Sequence, residues 1–220
     1  MKKLILVAVC LSLAAAGAAQ AGKVSVGFWE GQRNFGYLFY SYFYSIETSA
    51  LEGGAYLHWD VADNLGLRFQ AAYLKGSSYN SSTNPGPPIY TTESKFDLTG
   101  FPVQFQVLPT ARVGDRLIFR TGGGLSYYKL TGKGSYTTSS YPTSALPQHG
   151  VTGFGGQFLL AAEGKLNKNI GLEAQYEKGT AKLSYTVTWN EPWGGSTPTT
   201  KKESFGLSTE AYRLGLAAHF

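Results

Sequence analysis

The chain has 220 residues, with 15% aromatic side chains, 28 glycines, and one Cys and one Met, Cys10 and Met1. Its formal net charge is +5, but the Lys and Arg residues are scattered without a basic stripe, which argues against a nucleic-acid partner. No stretch after residue 21 is long and apolar enough for a helical membrane span.

The first 21 residues have the pattern of a secretory signal peptide. Lys2 and Lys3 form a charged start, Leu4–Leu13 is a short apolar core, and Ala19-Gln20-Ala21 is a cleavage site. Cleavage removes the one Cys and the one Met, and leaves 17 Lys and Arg against 14 Asp and Glu, a net charge of +3. We therefore expect residues 1–21 to be a signal peptide and 22–220 to be one domain that folds without disulfides.

Apolar residues alternate with small or polar ones along the remaining chain, and this period of two predicts strands. The fourth predicted strand changes its apolar phase near Gly100, and a Gly beside Phe101-Pro102 predicts a β-bulge there. The eight predicted strands are Lys23–Trp29, Ala50–Trp59, Leu65–Leu74, Lys95–Val107, Arg116–Tyr128, Gly153–Gly164, Ile170–Glu177 and Ala211–Phe220.

The connectors between these strands alternate in length. In an antiparallel meander, alternate connectors emerge at opposite ends, so the long ones share one end and both termini lie at the other. This asymmetry is typical of outer-membrane barrels. In the alternative fold, a soluble sandwich, long and short connectors do not alternate regularly. Alternation within 37–45 and 181–189 predicts hairpins that extend beyond the membrane. The short connectors are 60–64, 108–115 and 165–169, and the long ones are 30–49, 75–94, 129–152 and 178–204.

The C-terminal pattern Tyr212-x-Leu214-x-Leu216-x-Ala218-x-Phe220 and the signal peptide carry a family resemblance. With them, the chain resembles the small eight-stranded bacterial outer-membrane proteins, such as the transmembrane domain of outer-membrane protein A and its short relatives. The resemblance implies an all-β, eight-stranded antiparallel up-and-down transmembrane barrel. It also implies outer-membrane lipid as the surroundings, periplasmic termini, a monomer by default, and recognition of the strand ending in Phe220 by the barrel-assembly machinery.

The apolar phase of each strand is expected to face lipid and the other phase the lumen. An eight-stranded barrel is narrow enough for its own side chains to fill, and buried charges are costly unless they are paired. We therefore expect an ion-pair network that plugs the lumen; in an alternative reading, an Arg that switches between two carboxylates gates a narrow path. The predicted network is Arg68, Arg120, Arg213, Glu163 and Glu173, with Gln70, Gln157, Gln175 and Tyr56 on the same phase.

Outward-facing aromatic residues are expected to mark the two membrane–water interfaces. Trp59 and Phe220 lie beside the short turns or the chain end. Four tyrosines lie toward the long connectors: Tyr73, Tyr127, Tyr176 and Tyr212.

Signals for catalysis are weak. His58, His149 and His219 have no metal-ligand spacing, and no Ser/His/acid set is recognisable, so we predict no catalytic residue, cofactor or metal site and no enzyme activity. The Tyr/Ser/Thr/Gly-rich connectors have the composition of recognition surfaces. The predicted role is structural or surface interaction with an extracellular ligand or partner. The alternatives are a narrow pore or lateral conduit for small or apolar solutes and, third, an outer-membrane lipid-modifying enzyme.

Overall fold

The computed structural model describes residues 23–40, 44–84, 90–138, 141–189 and 199–220. The predicted signal peptide, residues 1–21, lies outside them. Every regular element within them is a strand. In this part of the chain we find no helix that is long and apolar enough to cross a membrane. The strands are β1 Lys23–Tyr40, β2 Tyr44–Ala62, β3 Leu65–Asn84, β4 Tyr90–Val113, β5 Leu117–Thr138, β6 Tyr141–Lys165, β7 Ile170–Trp189 and β8 Thr199–His219.

The eight strands form a closed, all-antiparallel, up-and-down barrel. Each strand pairs with its sequence neighbours, and β1 pairs with β8 to close the wall. The predicted fold class is therefore confirmed. Short turns at 63–64, 114–116 and 166–169 share one end of the barrel, which we call the turn end; the opposite end is the far end. Gly114 has a φ of 60°, a left-handed conformation that glycine adopts without steric cost.

The strands are much longer than the sequence analysis predicts. They contain 18 to 25 residues, and most of the predicted long connectors are strand. β7 and β8 pair as far as Trp189 and Thr199, as the alternation in 181–189 predicts. The assignment of 30–49, 75–94, 129–152 and 178–204 as connectors is corrected for the described residues of these ranges, which continue the strands with mainly polar side chains on the outward face.

The bulge predicted near Gly100 is wrong. The register between β4 and β5 is unbroken from Thr92 to Val107. The apolar phase changes because Phe96 and Leu98 point into the barrel and are buried, whereas Phe105 points outward and is 46% exposed. Both faces of β4 therefore carry apolar side chains, at different heights.

The barrel wall is continuous only on the turn-end side. Pairing of β1 with β8 ends at Gly36 and Ser208, although both strands continue beyond these residues. The register of β1 with β2 shifts between Phe35 and Leu38. Such a bulge bends a strand, which accounts for the loss of pairing on both sides of this hairpin. The two other breaks follow Ala50–Gly76 between β2 and β3 and Thr152–Ser184 between β6 and β7.

We call these three breaks seams. Beyond them the far end consists of three leaves: the β1–β2 hairpin, the four-stranded sheet β3–β6, and the β7–β8 hairpin. The leaves share no strand pairing with one another within the described residues.

Candidate functional site in the barrel interior

The turn-end side of the interior holds equal numbers of buried positive and negative side chains. Each of the eight is at most 4% exposed. Because unpaired buried charges are strongly unfavourable, their contacts determine whether this interior is stable. The eight are Arg33, Arg68, Arg120, Arg213, Glu52, Glu163, Glu173 and Glu177.

Four of these residues form a closed charge ring near the middle of the barrel. Arg33 Nε lies 2.8 Å from Glu52 Oε2, and Arg33 Nη1 lies 2.9 Å from Glu177 Oε1. Arg213 Nε lies 2.7 Å from Glu52 Oε1, and Arg213 Nη1 lies 2.8 Å from Glu177 Oε2. Each carboxylate thus bridges two guanidinium groups, and each guanidinium bridges two carboxylates, so the charge ring is electrically balanced.

The other four buried charges form a charge chain that leads to the turn end. Arg68 donates two hydrogen bonds to Glu173, at 2.9 and 2.8 Å. Arg120 Nη1 lies 2.8 Å from both Glu173 Oε2 and Glu163 Oε2. Nε2 of His219 contacts Glu163 Oε1 at the end of the chain. Arg120 of β5 is therefore bound by carboxylates from two other strands, Glu163 of β6 and Glu173 of β7.

Glutamine side chains connect the charge ring with the charge chain. Gln104 Nε2 donates to Glu177 Oε1 at 2.8 Å, and Gln70 donates to both Gln104 and Glu177. Gln175 donates to Glu173 of the chain and accepts a 3.5 Å hydrogen bond from Arg213 of the ring. The buried charges therefore belong to one hydrogen-bonded network.

Aromatic rings cover the flat faces of two guanidinium groups. The Arg68 guanidinium lies 4.0 Å from the centre of the Tyr56 ring, and that of Arg213 lies 4.2 Å from a Trp29 ring. Such cation–π contacts add an attraction that does not use the N–H groups, which remain available to the carboxylates.

The structure places all five residues of the predicted network in this interior. Arg68, Arg120, Glu163 and Glu173 belong to the charge chain, and Arg213 belongs to the charge ring. Of the other predicted lumen residues, Gln70, Gln175 and Tyr56 contact the network as described. Gln157 is buried, and neither of its side-chain polar atoms has a hydrogen-bond partner among the described residues.

The sequence analysis missed three members of the charge ring. Arg33 falls in a segment predicted to be a connector, so no face was assigned to it. Glu52 and Glu177 lie on the lumen phase of predicted strands, and that phase was the signal that could have identified them. Which arginine pairs with each carboxylate depends on how the strands close into the barrel. Periodicity predicts the face of a residue but not its partners across the lumen.

A smaller polar cluster lies at the turn end, beyond the charge chain. Asp60 accepts hydrogen bonds from His58 Nε2 at 3.0 Å and from Arg112 Nη2 at 2.7 Å. Burial opposes a charge on Asp60, but the hydrogen bond from His58 and the charge of Arg112 hold its pKa below the usual value. This cluster ties β2 to β4 across the end of β3.

An apolar collar fills the interior on the far side of the charge ring. This corrects the expectation that the lumen phase is small, amide or charged throughout. The collar lies where the seams begin, since Phe35 and Ala50 are at or beside the last pairs of two seams. Every strand contributes to it. Its buried members are Phe35, Ala50, Leu74, Phe96, Leu98, Tyr128, Leu130, Ala181, Leu183 and Leu207, with Val151 and Phe205 packed against them.

Inward-facing glycines make room for the network. A Cβ atom at Gly171 would collide with the Glu163 carboxylate, and one at Gly27 would collide with the Tyr56 ring. These two strand positions need glycine because a large side chain from the neighbouring strand lies directly against each of them.

Five of the six predicted interface aromatics lie on the outer wall, and Phe220, at the chain end, is exposed and lines the cavity at the turn end. Trp59 pairs with Val24 and Leu67 close to the first short turn, and the backbone N–H of Phe220 donates to Val24 O at 2.9 Å. Toward the far end, three ring pairs have centroids 5.0 to 6.3 Å apart: Tyr73–Phe101, Tyr127–Phe154 and Tyr176–Tyr212.

Within the described ranges no group of three or more His, Cys, Asp or Glu side chains could hold a metal ion. His149 pairs with Gly132 through its backbone. The described interior contains a network of ion pairs with a cluster of apolar side chains on its far-end side.

No protein-family model matches the chain, and no curated protein matches it. Among solved structures, OprG from Pseudomonas aeruginosa is 13% identical, with 91% of this chain and 96% of that chain covered and a TM-score of 0.53. A major outer membrane protein from Thermus thermophilus is 14% identical, with coverage of 91% and 100% and a TM-score of 0.48. Ail of Yersinia pestis is 10% identical, with coverage of 90% and 99% and a TM-score of 0.41. The likeness to OprG, with the closed strand order, shows that the chain has the fold of the small eight-stranded outer-membrane barrels.

Proposed function

We propose that this chain is a monomeric, non-enzymatic barrel of the bacterial outer membrane whose lumen is closed by its own side chains, and that it acts through the leaves that extend beyond the membrane. The observation that carries the proposal is the succession of charge chain, charge ring and apolar collar along one barrel axis. In this proposal the termini and the turn end of the barrel face the periplasm. The C-terminal strand that ends in Phe220 is recognised by the barrel-assembly machinery.

The outer wall supports a membrane location. Large apolar side chains are exposed around the closed part of the barrel, among them Phe69, Phe119, Phe158, Leu172 and Leu216. Exposed apolar surface of this extent is stable in lipid and unfavourable in water. β1 pairs with β8 over Ser25–Gly36, a length that suits the roughly 9–11 tilted residues of a membrane strand. The aromatic pairs and Trp59 would then lie at the two interfaces.

The interior supports a closed lumen. Each guanidinium of the charge ring is held by two carboxylates, so moving one Arg breaks two ion pairs at once. The collar then closes the same axis with side chains that have no affinity for water or ions. A gate would need an alternative partner for a moving Arg, and within the described residues every buried carboxylate already binds a guanidinium group.

Planar-bilayer recording tests the closed lumen. We expect the wild type to show no resolved conductance steps, and we expect the same of Arg116→Ala, a matched control at the exposed turn. Resolved steps in the wild type would overturn the closed lumen, and a change of those steps in Arg120→Ala would identify the gate.

The far end supports a role in surface interaction. The β7–β8 leaf continues past the seam at Ser184 to Trp189 and Thr199, beyond the part of the wall that is closed. Paired strands hold their side chains in a fixed arrangement, which lowers the entropy lost on binding. An extracellular ligand or surface partner therefore has a rigid surface to contact.

Ser184 and Ser204 are register partners, which gives a clean truncation of this leaf. Residues 185–203 are replaced by Asn-Gly, a two-residue hairpin turn. We expect the variant to keep its barrel and to lose binding to host-matrix surfaces that the wild type binds. A matched truncation between Ser81 and Glu93, partners in the β3–β4 hairpin, is the control. Equal binding by all three proteins would contradict a role for the β7–β8 leaf, and lipid turnover by the purified wild type in detergent would contradict the non-enzymatic assignment.

A further inference from the structure

A cavity of about 860 Å³ opens at the turn end of the barrel. It is formed by the β4–β5 and β6–β7 turns, the beginning of β1 and the end of β8, and it reaches inward to Arg120. We call it the vestibule. It lies on the opposite side of the charge network from the collar, so it is separate from the far-end surface.

Six of the 17 residues that line the vestibule are Lys or Arg, against two Asp. Lys23 forms an ion pair with Asp63, and Arg112 forms one with Asp60. Three further cations form no ion pair with the described part of the chain and leave positive charge at the rim. They are Arg116 on the β4–β5 turn, Lys165 at the end of β6 and Lys168 on the β6–β7 turn. The two acidic side chains of the lining are Asp60 and Asp115.

A buried arginine at the inner end of the vestibule has an N–H group without a hydrogen-bond partner among the described residues. Arg120 lines the cavity although it is 3% exposed. Its Nη1 serves both Glu163 and Glu173, while its Nε has no hydrogen-bond partner in the part of the chain that the structure describes. An unpartnered N–H on a buried guanidinium is unfavourable, so an anion that reached it from the vestibule would supply the missing acceptor.

We propose that the vestibule binds a phosphate group. Phosphate has enough oxygen atoms to accept hydrogen bonds from several cations at once, and guanidinium groups match its geometry. In this arrangement Arg116, Lys165 and Lys168 attract the anion at the rim, and Arg120 lies at the inner end. The phosphate belongs either to a small soluble compound or to a lipid headgroup of the adjacent leaflet; the chemistry of recognition is the same.

Inorganic phosphate is the probe for the first experiment. The chain is labelled with ¹⁵N-arginine and reconstituted in phosphatidylcholine nanodiscs, and phosphate is titrated at constant ionic strength while the Arg120 Nε–H resonance is followed. We expect a saturable shift of that resonance. Removal of the rim charges in Arg116→Gln/Lys165→Gln/Lys168→Gln should weaken the apparent affinity about tenfold, because exposed charges contribute modestly but together.

The control removes the same number of charges from exposed lysines on the outer wall, in Lys129→Gln/Lys178→Gln/Lys182→Gln. We expect its affinity for phosphate to stay within about twofold of wild type, because these lysines lie far from the vestibule. A shift that rises linearly without saturation overturns the site, and so does an equal loss of affinity in the rim variant and the control.

A second arm distinguishes the two sources of phosphate. The same resonance is recorded in nanodiscs containing phosphatidylglycerol without added phosphate. A shifted Arg120 resonance that no longer responds to inorganic phosphate supports a lipid headgroup in the vestibule. An unshifted resonance that still responds supports a soluble phosphate compound. Failure of both arms overturns the proposal without affecting the closed lumen, which bilayer recording tests separately.

Discussion

The two halves of the barrel interior are filled by opposite kinds of chemistry. On the turn-end side, four arginines and four glutamates are paired at 2.7 to 2.9 Å. At the far end, ten buried, mainly aliphatic and aromatic residues form the collar. The change occurs within single strands: the inward positions of β1 pass from Arg33 to Phe35, and those of β2 from Glu52 to Ala50.

The difference corresponds to a difference in the wall. Ion pairs and hydrogen bonds depend on distance and angle, so they need a frame that keeps opposite strands fixed. The closed part of the barrel is such a frame, because every strand there is paired on both sides. Apolar contacts are not directional. They can join leaves whose backbones are no longer paired, and the collar lies where that pairing ends.

Removal of one carboxylate from the charge ring should have the largest effect on stability. Glu177→Ala leaves Arg33 and Arg213 each with one ion-pair partner in a buried site, and breaking a buried pair costs about 3–5 kcal/mol. We expect that loss in the free energy of unfolding measured by urea titration in lipid vesicles. Glu93→Ala, at an exposed position of the β3–β6 leaf, should leave stability unchanged. Equal stability of the two variants would show that the charge ring is not a structural element.

Truncation of a collar leucine should have the next largest effect. Leu130 is fully buried in the collar, whereas Leu125 on the same strand is 69% exposed on the outer wall. Leu130→Ala should lower the free energy of unfolding by about 2–4 kcal/mol through lost packing and a cavity, and Leu125→Ala by clearly less. Amide hydrogen exchange in the far-end strands should increase in Leu130→Ala. If exchange rises equally throughout the closed barrel, the collar does not specifically join the leaves.

A single methyl group added beside the charge chain should have the smallest of the three effects on stability. In Gly171→Ala the new Cβ displaces the Glu163 carboxylate from Arg120 and His219, for which we expect a loss of about 1–2 kcal/mol, the usual cost of an imperfectly satisfied buried group. Gly164→Ala is the control, because a Cβ there meets no atom within 4 Å. The same urea titration measures both variants. A Gly171→Ala barrel as stable as Gly164→Ala would mean that Glu163 has an alternative position of equal energy.

The alternation of residues was sufficient to predict the closed part of the barrel. In Leu65–Leu74, for example, apolar and polar positions alternate because one face lies on the outer wall and the other faces the network, and the predicted strand lies within β3. Beyond the seams the same strand continues as Ser77–Asn84, where both faces are polar. Such a pattern is typical of a loop, so the sequence could not distinguish a paired extension from an irregular connector.

The direction in which an apolar side chain points was the second limit. Phe96 and Leu98 predict a strand correctly, but their phase was interpreted as a bulge because one apolar face was assumed for the whole of β4. Apolar side chains lie on the outer wall and in the collar at different heights of the same strand. Periodicity records that a residue is apolar, and only the closed register shows which environment it occupies.

The seams have a consequence for how this protein can change over generations. Since no backbone pairing crosses from one leaf to the next within the described strands, an insertion, deletion or altered register in one leaf leaves the hydrogen bonds of the other two intact. Variation in one leaf can therefore accumulate while the backbone pairing of the other two leaves and of the closed part of the barrel stays constant.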